Sequence, residues 1–85
     1  MDNVEILINQ IYQKEPYSIV TIMEDGCPIG IFHKEDWESG DFEHVKVKCR
    51  NYVPPAFVQR AEIPIIGVVF EIDLCKCKEL IVDEH

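Results

Sequence analysis

An α+β fold follows from three features of the sequence. The first thirteen or so residues carry a helical stripe, two short β-branched segments flank an acidic turn that ends in glycine, and the densest apolar run of the chain, Ile63 to Leu74, has the character of a strand. Together these predict one N-terminal helix packed on an antiparallel sheet of four to five strands. A small β-barrel with the helix plugging one end is the alternative architecture. With 85 residues, 47% of them hydrophobic, the chain suits a single compact domain over 1–85 and leaves no room for a second.

From Asp2 to Lys14 the apolar residues Val4, Leu7, Ile8, Ile11 and Tyr12 fall on one side of an α-helix, with Glu5, Asn9, Gln10, Gln13 and Lys14 on the other. Asp2 is placed to cap the first turn, with Glu5 three residues on, and Pro16 disfavours helical geometry at Glu15 and so stops the helix. Tyr17 to Glu24 reads as a strand, Glu24-Asp25-Gly26 as a turn, and Cys27 to His33 as the hairpin partner. Pro28 cannot donate to a ladder, which puts it at the start of that strand or on an edge. This order, running into PIGIFHKEDW, is similar over about the first 37 residues to one half of a cystathionine-β-synthase-type nucleotide-sensing motif; no second half follows, and no ligand site is carried across.

Lys34 to Gly40 is a loop or a short turn of helix. Phe42 to Cys49 alternates, with Val45, Val47 and Cys49 of one parity and His44, Lys46 and Lys48 of the other, and so reads as a half-solvated strand with a basic outer face. Tyr52-Val53-Pro54-Pro55 is an extended connector, and Ala56 to Glu62 divides between two turns of helix and an irregular crossing. In Ile63 to Leu74, apolar side chains of both parities predict a central strand buried on both faces, with Gly67 marking a bulge or a close backbone approach. Cys75 and Cys77 then share a parity, and Leu80, Ile81 and Val82 close the chain.

Sixteen acids against eight bases give a formal charge of −8, which makes free nucleic acid an unfavourable partner. No apolar run approaches the length of a membrane span, and the opening MDNVEIL lacks the basic start of a secretory signal, so an intracellular, cytoplasmic protein is expected. In that setting the four cysteines read as reduced thiols or as metal ligands. Cys27, Cys49, Cys75 and Cys77 could hold zinc with His33 and His44 as substitutes, although two lone thiols and one pair separated by a single residue make a poor match to paired-ligand spacing.

The most distinctive stretch is Glu35 to Glu43, where Glu35, Asp36, Glu38, Asp41 and Glu43 are interleaved with Trp37 and Phe42. Charges resist burial and aromatics resist exposure, which leaves two resolutions. Either Trp37 and Phe42 tuck inward under a solvated acidic rim, or the segment is a docking surface with aromatic anchors ringed by acids. Calcium is a lesser option, since Asp36, Glu38 and Asp41 do not follow the EF-hand spacing. Lys46, Lys48 and Arg50 form the one basic stripe, which is read as pairing with acids such as Glu71 or Asp73 rather than holding a phosphate.

No nucleophile elbow surrounds Ser18 or Ser39, and His44 and Cys49 differ in parity, so no enzyme is expected. The function these features favour is a small acidic protein-protein interaction module, an accessory or inhibitory protein of the kind bacteria and their viruses encode, which docks on a basic partner surface. A zinc-stabilised or small-ligand regulatory domain is the first alternative. A homodimer formed through an exposed sheet edge is the second.

Overall fold

A computed structural model describes residues 3–52 and 56–74. Within them the chain runs α1 (Val4–Lys14), β1 (Ile19–Glu24), β2 (Cys27–Phe32), α2 (Lys34–Ser39), α3 (Glu43–Asn51), β3 (Phe57–Ile63) and β4 (Gly67–Asp73). The fold is α+β, with a four-stranded sheet in the order β2-β1-β4-β3 that is not closed into a barrel. The sheet is mixed rather than antiparallel: β1 runs parallel to β4, while β1–β2 and β3–β4 are antiparallel pairs.

Asn3 caps α1, its side-chain oxygen accepting from the Ile6 N–H at 2.9 Å. It fills the role expected of Asp2, which lies outside the described residues. Val4, Ile8, Ile11 and Tyr12 are the buried stripe, and the helix ends at Lys14, two residues before Pro16. The β1–β2 hairpin closes through a two-residue turn in which Asp25 (φ 57°) and Gly26 (φ 79°) are both left-handed, the combination a type I′ turn requires. β2 is an edge strand, and Pro28 sits near its start, beside a register irregularity between Ile22 and Met23.

Residues 43–51 form a helix, not the strand that alternation suggests. Val45 and Cys49 are buried, four residues apart, whereas Val47 between them is 40% exposed. Phe42, Val45, Cys49 and Tyr52, all packed in or against the core, follow helical spacing. Glu43 in the first turn and Lys48 and Arg50 in the last complement the helix dipole.

Residues 57–63, expected as helix or an irregular crossing, are the edge strand β3, with every residue exposed. The segment read as one strand from Ile63 to Leu74 is instead the end of β3, a turn at 64–66 and β4. Pro64 and Ile65 occupy the turn, and Ile65 is held at φ 74°. β4 is an interior strand between β1 and β3, but only one of its faces is fully covered. Phe70, Ile72 and Leu74 are buried, while Val69 is half-buried and Glu71 exposed.

All three helices lie on the face presented by Val20, Ile22, Phe32, Phe70 and Ile72, and these side chains form one core with Trp37, Val45 and Cys49. Gly30 permits the close approach of α3, because a Cβ there would stand 3.3 Å from Val45 Cγ2 and 3.1 Å from the Phe32 ring. The N–H of Val4 donates to the carbonyl of Tyr52 at 3.3 Å, and the Arg50 guanidinium forks onto the Glu5 carboxylate at 3.0 and 3.1 Å, which ties α1 to α3. Among the described residues, no helix is long and apolar enough to cross a membrane.

Candidate interaction surface

The acidic segment folds as α2, a glycine turn and the first residue of α3, and its apolar members decide its shape. Trp37 is 2% exposed and stacks on Phe32 with ring centroids 4.9 Å apart and planes 26° from parallel. Its indole N–H donates to the Asn9 side-chain oxygen at 2.9 Å, and the Lys46 ammonium lies 5.1 Å from its ring centroid. Phe42 packs on Phe32 as well, tilted 53° and centroid to centroid 5.2 Å. Both aromatics therefore turn inward, and neither stands out as an anchor for a partner.

The carboxylates are left on the outside. Glu35, Asp36, Glu38, Asp41 and Glu43 are all exposed. Asp36 has a local task, accepting from the backbone N–H of His33 at 3.2 Å, with the His33 ring 3.8 Å away. Gly40 ends α2 with φ 95°, a left-handed position that favours glycine, and Ser39 Oγ donates to the Asp36 carbonyl at 2.8 Å while accepting from the Asp41 N–H at 3.2 Å. Glu43 lies 3.8 Å from Arg50. Among the described residues, Glu35, Glu38 and Asp41 have no cation within ion-pair distance.

The strongest bases are engaged elsewhere. Lys48 meets Glu24 at 2.9 Å, Arg50 grips Glu5, and Arg60 bridges Glu15 and Glu62 at 2.8 and 2.9 Å. The expected pairing of the basic stripe is found for Lys48 and Arg50, but with Glu24 and Glu5 rather than Glu71 or Asp73. A helix sends these side chains in different directions, where a strand would have aligned them. The Arg50 hydrogen bond holds the Glu5 carboxyl below its usual range, and Arg60 does the same for Glu15. What remains is an acidic ridge along α2 and the α2–α3 turn, beside a cleft of about 360 Å³ lined by Asn9, Tyr12, Gln13, Lys34, Trp37 and Glu38.

The thiols are not gathered by the described part of the chain. Cys27 is exposed at the start of β2 and Cys49 is buried in α3, where desolvation pushes its thiol up to about 12. Cys75 and Cys77 lie outside the described residues. Among the described residues, no group of three or more His, Cys, Asp or Glu could hold a metal ion. His44 is exposed and Cys49 buried, so these two do not form a nucleophile-base pair.

Two contributors to the ridge escape sequence reasoning. Asn9 belongs to the polar side of α1, and nothing in its local sequence assigns it to an indole 28 residues away. His33 begins α2 as its N-cap, a position more often held by Ser, Thr, Asp or Asn. Comparison with protein-family models, with curated proteins and with solved structures returned no match.

Proposed function

We propose that the chain is a small acidic interaction module that acts by laying the α2 ridge against a basic surface of a protein partner. The observation that supports this is the uneven compensation of charge. Arg50, Lys48 and Arg60 are spent on Glu5, Glu24, Glu15 and Glu62, whereas Glu35, Glu38 and Asp41, close in sequence to one another and to Lys34, make no ion pair among the described residues. Trp37 and Phe42 serve the ridge from beneath by fixing its position on Phe32. The partner's basic side chains meet carboxylates held on a short helix whose geometry is set in advance. Charge of this kind raises the association rate and selects the partner, so the contact is sensitive to salt.

The reading is tested by site-specific cross-linking. A photoreactive residue at position 35, on the ridge, is expected to trap a basic protein from host lysate at low salt, and the same probe at position 71, on the opposite face of the sheet, is not. Equal trapping from both positions, or trapping from 71 alone, would show that the contact lies elsewhere.

A further inference from the structure

The sheet has two edges, and they are defended differently. β2 is six residues long, carries Pro28 and is paired irregularly with β1. β3 is seven residues long, FVQRAEI, has no proline and is paired regularly with β4 from Phe57↔Asp73 to Ile63↔Gly67. Among the described residues, no strand covers its outer side, and Val58 and Ile63 are exposed along it. A long regular edge with apolar side chains is a template for another strand.

We infer that β3 pairs antiparallel with β3 of a second copy of this chain about a two-fold axis at Ala61, giving one continuous eight-stranded sheet. The charge pattern selects both the occupant and the register. Val58, Arg60 and Glu62 share the face of Ile72, Phe70 and Val68, so Arg60 and Glu62 are neighbours on one side of the strand. In an antiparallel two-fold pair, residues whose numbers sum to a constant stand opposite each other on the same face. An axis at Arg60 would oppose the two guanidiniums directly, and an axis at Gln59 would set Arg60 against the partner's Val58. Moving the axis to Ala61 places each Arg60 opposite the Glu62 of the other copy and pairs 59–63 throughout. The strand is then complementary to itself, a property that an unrelated extended peptide has no reason to share. Arg60 already lies between Glu15 and Glu62 within one copy, and the second Glu62 joins a guanidinium surrounded by acids.

Because the axis runs perpendicular to the sheet, the helices of both copies stay on one side. The acidic ridge sits over β2, at the far edge, so this contact neither uses the ridge nor obstructs it. Failure of either proposal leaves the other standing.

The test uses the full chain. Sedimentation equilibrium is expected to give a mass twice that of the chain at high concentration, falling toward one at dilution. Glu62→Arg and Arg60→Glu should each weaken self-association by about tenfold or more, with the fold checked by circular dichroism, and an equimolar mixture should restore the dimer because every cross-strand pair is again opposite in charge. Where Arg60→Glu fails to fold for want of its Glu15 pair, Ala61→Cys serves instead. It should form an intermolecular disulfide on mild oxidation beyond that of the parent chain, whereas Gln59→Cys should not. A monomer at every concentration overturns the proposal, and so does a dimer that cross-links through position 59 and not 61.

Discussion

The indole N–H of Trp37 donates to the Asn9 side-chain oxygen at 2.9 Å, which fastens α2 to α1 across the mouth of the core. With the stack on Phe32, this bond helps a helix of six residues, too short to be stable alone, to hold the three carboxylates of Glu35, Asp36 and Glu38 in place. Removing the acceptor leaves a buried donor unpaired. Asn9→Ala is therefore expected to cost about 1–3 kcal/mol, and Trp37→Ala, which also empties the stack on Phe32, about 3–5 kcal/mol. Urea unfolding of the two variants checks both values, and an Asn9→Ala protein as stable as the native chain would deny the hydrogen bond its role.

Val45 and Val47 separate the helical from the extended description of 43–51. A strand would give both side chains the same face, but Val45 is buried and Val47 is not. Val45→Asp is expected to unfold the protein, and Val47→Asp to change its stability by no more than about 0.5 kcal/mol. Circular dichroism at rising temperature distinguishes the two.

Ile65 holds φ 74° in the β3–β4 turn with its side chain fully exposed. A β-branched residue is strained there and gains nothing from burial, so Ile65→Asn, which tolerates left-handed backbone, is expected to stabilise by about 1 kcal/mol. A raised thermal midpoint is the sign. An unchanged or lowered midpoint would mean that the strain is absent.

Burial raises the Cys49 thiol to about 12 and lifts the Tyr12 phenol above its ordinary range, the latter helped by Asp36. The folded state thus keeps both protons longer than the unfolded chain does. Their contribution is complete below about pH 8.5, where an unfolded cysteine begins to ionise, and is lost as pH climbs toward the folded value, at up to about 1.4 kcal/mol per pH unit for each group. Stability should fall on the alkaline side, with Tyr12 adding to the fall above about pH 10. Cys49→Ala should flatten the first part of that slope, measured by urea unfolding between about pH 9 and 10.

The legible parts of the fold were those with one strong local signal. The α1 stripe, the Asp25-Gly26 turn and the strands around it each carry a period or a turn residue that little else would produce. Over residues 43–51 the alternation misleads, because Val45, Val47 and Cys49 satisfy a two-residue period by coincidence. The helical spacing of Phe42, Val45, Cys49 and Tyr52 was also present, but it reaches one residue before the helix and one beyond it. β3 was obscure for another reason: an edge strand with no buried face has no hydrophobic pattern to read, and its pairing with β4 decides it. The parallel β1–β4 pair is a long-range choice that no local window contains. At the ridge, the sequence posed the alternatives for Trp37 and Phe42, and only packing on Phe32 chose between them.

The most direct measurement of the central claim compares partner capture by three proteins: the native chain, Glu35→Gln/Glu38→Gln on the ridge, and Asp25→Asn/Glu71→Gln away from it. The two variants remove the same charge from exposed positions. If the ridge is the contact, its variant loses the basic partner while the other retains it, and the retained complex dissociates as salt is raised. Equal loss from both variants, or retention by both, would contradict a role for the ridge beyond its share of the net charge.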